Sequence, residues 1–484
     1  MGRTNRRVQP ADRDCVSVSL VLRCHGCAAV VDVGDPAIRN PFRCPNFERA
    51  PGVDHVLEWD PASAGVAKWP TDDSTNPYIR YRTLQHAYWL NRSLGATDAD
   101  HVGLVRRIDA ALQTIDTGFV VTPFVELEPA AKVLGVAEVW TKIDTGNVGG
   151  SHKARHLMGI LLHLEARRIS ARTPLAIASC GNAAIAAATL GKAAKRPVEV
   201  FIPSWVKEPV RQRLLKLGAK LLEAPRLATD PPGDPCLHRF HDALRKGSLP
   251  FCVQGTENGL TIDGGASMGH ELADQFAMLG FVPDRVFVQT GGGALGSSVA
   301  RGLSDAVALQ TLRALPRMHF VQAEGCAPLH RAWRKVATRA LLSFGHESLL
   351  DAPDDVVAKT LTDPSAQEAV REALSFAVTH RANFMTVWED EPSSLATGIL
   401  DDETYDWFAL VRVMLTTGGW PVVATERQIE RALELACPEP SGPECCDTDC
   451  TGASSFAGAL ALADAGLLDT SERIVALVTG SKRI

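Results

Sequence analysis

From about residue 135 the chain alternates short apolar runs with longer helical ones, and this alternation is the strongest constraint on its fold. Residues 139–143, 175–178, 198–202, 220–223, 251–253, 286–289 and 319–322 read as strands. Between them, 153–168, 182–194, 206–217, 238–245 and 295–303 read as helices. The first of these carries Leu157, Ile160, Leu161 and Leu164 at helical spacing. Buried strands separated by helices of ten to fifteen residues specify parallel sheets covered on both faces, so an α/β chain is expected. The segment 331–392 breaks the rhythm. It is helix-like and acidic in places, and reads as an insertion over one face. The pattern resumes with a strand at 420–423, helices at 426–436 and 454–465, and a strand at 474–478. No internal repeat is visible.

Size and charge narrow the function. A chain of 484 residues has ample length for two or three domains. The expected division is an N-terminal extension over 1–100, a large domain from 101–170 and 255–484, and a small α/β domain over 171–254. The net charge of −6 gives no electrostatic reason to bind nucleic acid or an anionic membrane. No apolar run approaches the twenty residues of a membrane span. The N-terminus is basic, but the run over 15–22 is broken by serines and meets no small-residue cleavage site. A cytoplasmic protein with reduced thiols is expected.

The 12 cysteines are dispersed. Cys24, Cys27 and Cys44 look like three-quarters of a zinc ribbon. A structural zinc site takes four ligands, and the last cysteine is missing. Cys15 and His25 are the substitutes at hand, and the expectation is a decayed ribbon of buried thiols with no metal. Cys445, Cys446 and Cys450 fall in a Pro/Gly/Asp-rich loop and read as free thiols.

Three strand-to-helix junctions carry candidate chemistry. Lys153 follows Gly149, Gly150 and Ser151 and stands beside His152 and Arg155. A lysine at the start of a helix behind a glycine turn is a candidate Schiff-base amine, because partial burial and nearby positive charge lower its pKa. The spacing fails the P-loop, since no Ser or Thr follows the lysine. The loop Gly291, Gly292, Gly293, Ala294, Leu295 and Gly296 follows a strand and opens a helix, where free N–H groups and the helix dipole can cradle a phosphate. It also satisfies the dinucleotide fingerprint, but the acid that would hold a ribose, Glu324, lies about thirty residues on instead of about twenty. Ser179, Cys180, Gly181 and Asn182 sit at the carboxyl end of a strand, where open α/β sheets bind ligands. Thr479 closes the last strand.

Together these four segments resemble the tryptophan synthase β-subunit family of pyridoxal-phosphate enzymes, fold type II, in the family's order. Within that family the chain looks most like threonine synthases. The segments 321–329 and 394–399, the terminal Thr479 to Lys482 and the incomplete cysteine ribbon support this. The resemblance implies two three-layer parallel-sheet domains with pyridoxal 5'-phosphate between them. It implies Lys153 as the Schiff-base lysine and general acid/base, Asn182 on the cofactor's phenolic oxygen, and the backbone of Gly291 to Gly296 on the phosphate. Thr479 would face the pyridine nitrogen. Ser179, Cys180, Gly181 and Asn182, with Ser151 and His152, would bind a small amino-acid substrate. A homodimer is implied as well. The implied reaction is a threonine synthase-like elimination or replacement at Cβ or Cγ. Ammonia-lyase elimination and cysteine- or cysteate-forming replacement are the neighbouring alternatives, and a catalytically silent homologue is the rival. The family's usual acid after the lysine is Ala154 here, and His152 before it resembles the tryptophan synthase β-subunit. These departures bear on the substrate more than on the cofactor.

Overall fold

The computed structural model describes residues 20–35, 37–38, 41–230, 233–437 and 447–482. Cys15, Cys445 and Cys446 lie outside them. Thirteen strands form three sheets among the described residues. The smallest is antiparallel, in the order β2–β1–β3, from β1 (Val21–Cys24), β2 (Val30–Asp32) and β3 (Leu57–Trp59). The region 1–100, expected as an N-terminal extension, carries a sheet. It also carries a helix at His86–Ser93 and leads into another at Asp98–Gln113. Thr97 caps the latter reciprocally with Asp100, a shorter acid than the Glu or Gln that usually marks such a start.

The largest sheet runs β12–β11–β10–β13–β5–β4. It comprises β4 (Phe124–Glu126), β5 (Glu138–Ile143), β10 (Arg285–Gln289), β11 (Arg317–Ala323), β12 (Val422–Ala424) and β13 (Arg473–Val478). All pairs are parallel except β4 with β5. The remaining sheet is parallel, β8–β7–β6–β9, from β6 (Leu175–Ala178), β7 (Val198–Ile202), β8 (Lys220–Glu223) and β9 (Leu249–Pro250). The expected strand at 251–253 is paired two residues earlier. Phe251 only extends the pairing by donating its N–H to Ala176 at 2.9 Å.

Central strands bury both faces, so they read as unbroken apolar runs: Val286, Phe287, Val288 and Ile474 to Val478 are fully buried. Six helices matter for the site: α1 (Lys153–Ala166), α2 (Asn182–Ala193), α3 (Leu260–Leu279), α4 (Ala294–Ala308), α5 (Trp407–Thr417) and α6 (Cys450–Asp464). The 20-residue α3 falls in a stretch the sequence pattern left blank. It is held by glycine-to-glycine contact on two sides. A Cβ on Gly264 or Gly159 would lie 2.9 or 2.5 Å from the other's Cα, and one on Gly302 would lie 2.7 Å from the Cα of Gly269. Helix α3 thus threads between α1 and α4 at backbone contact distance. The segment 331–392 is helical throughout its ordered elements, from Pro328–Phe344 to Arg381–Phe384. No helix among the described residues is long and apolar enough to cross a membrane.

Candidate active site

Strand β5 delivers the chain into a turn that Asn147 stabilises by capping Val148 N–H at 2.8 Å. Gly149 and Gly150 adopt φ of 73° and 75°, the left-handed region that only glycine enters freely. The turn then bridges Ser151 to Gly480 beyond β13. His152 donates its backbone N–H to the Thr479 carbonyl at 3.2 Å, and Ser481 donates back to Gly150 at 3.0 Å. Lys153 and Thr479 are therefore held side by side by main-chain pairing of two central, adjacent strands.

Lys153 is half-buried. Burial lowers its pKa, against Asp401 and Asp406, which raise it. The neighbouring positive charges expected from the sequence are not the cause. His152 is kept neutral by burial, its pKa pushed well below the usual value. Arg155 turns away into a buried network instead. Its guanidinium reaches Asp144 at 2.8 Å and Glu271 at 2.6 Å, and Lys142 meets Glu271 at 2.6 Å. Two bases and two acids balance beneath the turn and fix its base.

Thr479 is buried, and Gln289 at the end of β10 governs its hydroxyl. The Gln289 amide nitrogen donates to the Gly452 carbonyl at 2.8 Å and to Thr479 Oγ1 at 2.5 Å. A carbonyl can only accept, so this amide orientation is fixed by Gly452. The Thr479 oxygen is then an acceptor toward Gln289, and its own hydrogen remains to be donated. The Asn182 amide opens α2 beside this strand end: a Cβ on Gly480 would lie 3.4 Å from its nitrogen. Ser179, Cys180, Gly181 and Asn182 are all half-buried, and burial keeps the Cys180 thiol protonated.

The glycine loop starts α4, with Gly293 at φ 97°. A Cβ on Gly291 would lie 2.4 Å from a carboxylate oxygen of Asp401, and one on Gly292 would lie 2.8 Å from the Tyr405 ring. Ala294 and Leu295 turn their side chains into the core and offer only backbone. The loop is backed by residues the sequence did not single out. Asp406 N–H donates to the Gly292 carbonyl at 2.9 Å, and the Asp401 carboxylate lies against the loop, 3.4 Å from where a Cβ on Gly292 would stand. Burial raises the Asp401 pKa, opposed by Lys153. Asp401 lies in an acidic run that resembles a solvated loop, so nothing in its pattern announced this position.

Residues 115–391 match the profile of the family described as pyridoxal-phosphate dependent enzyme. The chain belongs to this family. Its cofactor is pyridoxal phosphate, and the resemblance to fold type II enzymes holds. Among its relatives is a threonine synthase of Methanosarcina acetivorans, 25% identical over 368 residues, 74% of each chain. A threonine synthase of Methanocaldococcus jannaschii is 22% identical over 366 residues, again 74% of each chain. The processed form of threonine deaminase isoform 2 from Solanum lycopersicum shares the fold with a TM-score of 0.53 at 15% identity, covering 80% of this chain and 86% of its own.

The residues present fit the family's cofactor. Ser151 Oγ and His152 Nε2 are buried without a hydrogen-bond partner beside Lys153. The lysine is biased toward its neutral form, and a glycine loop at a helix start offers backbone N–H groups. The Asp401 carboxylate lies beside that loop, at Gly291 and Gly292.

Proposed function

We propose that the protein catalyses a threonine synthase-like elimination or replacement at Cβ or Cγ of a small amino acid carrying a phosphate or another activated hydroxyl. The observation that carries this reading is the Gln289–Thr479 pair. Pyridoxal phosphate, when bound, supplies an electron sink for negative charge developing at Cα. Thr479, its oxygen already accepting from Gln289, has a hydrogen to donate and no charge, so it favours an unprotonated pyridine nitrogen. A carboxylate there would hold the ring protonated. Relatives named threonine synthase point the same way.

In this reading the Lys153 Nζ holds the cofactor and then moves the Cα proton, a task suited to an amine whose pKa burial has lowered. Backbone N–H groups from Gly291 to Gly296, with Ala294 and Leu295 between, bind the phosphate. Ser179, Cys180, Gly181 and Asn182 bind the substrate carboxylate, and Asn182 also reaches the phenolic oxygen. His152 donates Nδ1–H toward the Thr479 carbonyl at 3.4 Å. Its Nε2 lone pair is therefore directed away from that bond and is open to substrate or water, as is Ser151 Oγ.

The test incubates the protein, loaded with pyridoxal phosphate, with phosphorylated and free hydroxy amino acids, and assays released phosphate, ammonia and keto acid. Phosphate release with a new amino acid is expected. Ammonia and keto acid would place it with the ammonia-lyases. After borohydride reduction of the imine to a secondary amine, the wild-type chain is expected to keep the cofactor through denaturation and dialysis, and Lys153→Ala to lose it. No turnover with any substrate, together with cofactor retention after reduction unchanged in Lys153→Ala, would sink the proposal. A second reading, a ligand-binding homologue without turnover, draws on the Asp401 carboxylate packed against Gly291 and Gly292. It predicts cofactor or amino-acid binding with no product from any substrate.

A further inference from the structure

We propose that Cys24, Cys27, Cys44 and His55 form a structural zinc site that ties the N-terminal sheet to the rest of the molecule. The sequence offers three cysteine ligands, with Cys15 and His25 the only substitutes near at hand for the fourth. The fold brings in His55, from the segment that leads into β3. His25, the substitute nearest in sequence, points elsewhere, to Asp54 at 2.9 Å and Glu58 at 3.2 Å. The donor atoms of Cys24, Cys27, Cys44 and His55 all lie within 4.8 Å of one another. His55 Nδ1 is 3.3 Å from the Cys24 sulfur, and the Cys27 and Cys44 sulfurs are 3.4 Å apart. Zinc bonds of about 2.3 Å to sulfur and about 2.0 Å to nitrogen, at tetrahedral angles, put such pairs about 3.6–3.8 Å apart. These two pairs need to open by only a few tenths of an ångström, and the other pairs lie within 4.8 Å.

The surroundings suit a closed metal site. Cys24, Cys44 and His55 are 1%, 4% and 2% exposed and Cys27 is half-buried, and four protein ligands complete a tetrahedral shell with no position left for a reacting ligand. His55 Nε2 lies 3.1 Å from the Ala50 carbonyl. It donates there, which fixes the tautomer and aims the Nδ1 lone pair at the sulfurs, as second-layer partners of metal-bound histidines do. Asn46 donates its backbone N–H to the Cys44 sulfur at 3.4 Å and its amide to the Cys27 sulfur at 3.5 Å. N–H donors on sulfur stabilise thiolate, the form that binds metal. Gly26 makes the approach feasible. A Cβ there would lie 2.0 Å from the Asp54 carbonyl oxygen, so the turn bearing Cys24 and Cys27 is pressed directly on the His55 segment.

The site has leverage beyond itself. Asp54, next to His55 and fully buried, accepts from Arg381 at 3.0 Å and from the Trp407 indole at 3.2 Å. Arg381 belongs to the 331–392 segment, and Trp407 opens α5 immediately after Asp406, which backs the glycine loop. The metal would fix the segment on which these contacts hang.

The decisive measurement is metal content of the full chain after its affinity tag is removed, followed by cobalt replacement. About one zinc per chain is expected, and the cobalt form should show the intense visible bands of tetrahedral thiolate coordination. Cys44→Ser and His55→Ala should each lose at least tenfold in retained zinc. Cys252→Ser, a buried thiol outside the cluster, should keep it. Wild-type protein that is metal-free from zinc-replete medium, and whose reduced form gives no cobalt–thiolate bands on titration, would overturn the proposal. So would a soluble His55→Ala that retains zinc in full. The wild-type measurement decides even if the variants fail to fold.

Discussion

At the scale of single residues, the site is governed by how charge is enclosed. Asp401 feels the charge of Lys153 and packs against Gly291 and Gly292, so a phosphate brought to that loop meets a carboxylate already there. Two like charges at one loop disfavour each other. Asp401→Asn is therefore expected to bind pyridoxal phosphate on the order of tenfold more tightly, about 1.4 kcal/mol, in an equilibrium fluorescence titration. An unchanged or weaker affinity would show that Asp401 moves aside without cost. Arg155 tests the opposite situation, a charge with every partner in place. Arg155→Met leaves Asp144 and Glu271 buried with half their compensation, and unfolding in urea should report a loss of about 3–5 kcal/mol. Neither role was legible in the sequence. Lys153, the glycine loop and Thr479 stood out as candidates because each has a fixed place relative to a strand end. The partners Asp401, Gln289, Glu271 and His55 come from elsewhere in the chain and have no local pattern.

At the scale of elements, strands buried on both faces were more legible than the wedged helix α3, for a physical reason. A strand buried on both faces must be apolar at every position, as residues 474 to 478 are. A helix wedged at backbone distance must instead be small where it touches. In α3 the residues Gly264, Gly265 and Gly269 read as helix breakers, although the fold needs them for contact with α1 and α4. The cost of glycine in a helix, about 1 kcal/mol each relative to alanine, is offset by that packing. Gly264→Ala would place a methyl within 2.6 Å of the His156 carbonyl oxygen and 2.7 Å of that of Arg155. It should lower stability by about 1–3 kcal/mol despite its better helix propensity. A thermal melt equal to or above wild type would contradict the close-packing account.

At the scale of the whole molecule, stability responds to pH through carboxyls buried without full compensation. Asp263, in the first turn of α3, is pushed from its ordinary 3.8 up to about 7 by burial. The folded chain keeps this proton where the unfolded chain gives it up. The stability it contributes is thus fully present below pH 3.8 and is lost as the pH rises through about 7. Asp263→Asn cannot ionise. The gap in melting temperature between it and wild type should therefore shift in the variant's favour from pH 5 to pH 8, and a constant gap would remove Asp263 from the account. The large sheet was readable at this scale as an alternation, but its strand order was not. Parallel strands distant in sequence become neighbours through crossovers that leave no mark on local composition.

That strand order also sets a timetable for biosynthesis. Strand β13 lies between β5 and β10, both of which precede it in the chain, β10 by more than 180 residues. At ribosomal speeds of about 5–20 residues per second, the slot between them waits roughly 10–40 s for its occupant. Throughout that interval two apolar strand edges stand unpaired, and Thr479 has not been made. The nascent protein is therefore most exposed to chaperones, and to aggregation, just before its cofactor site can exist.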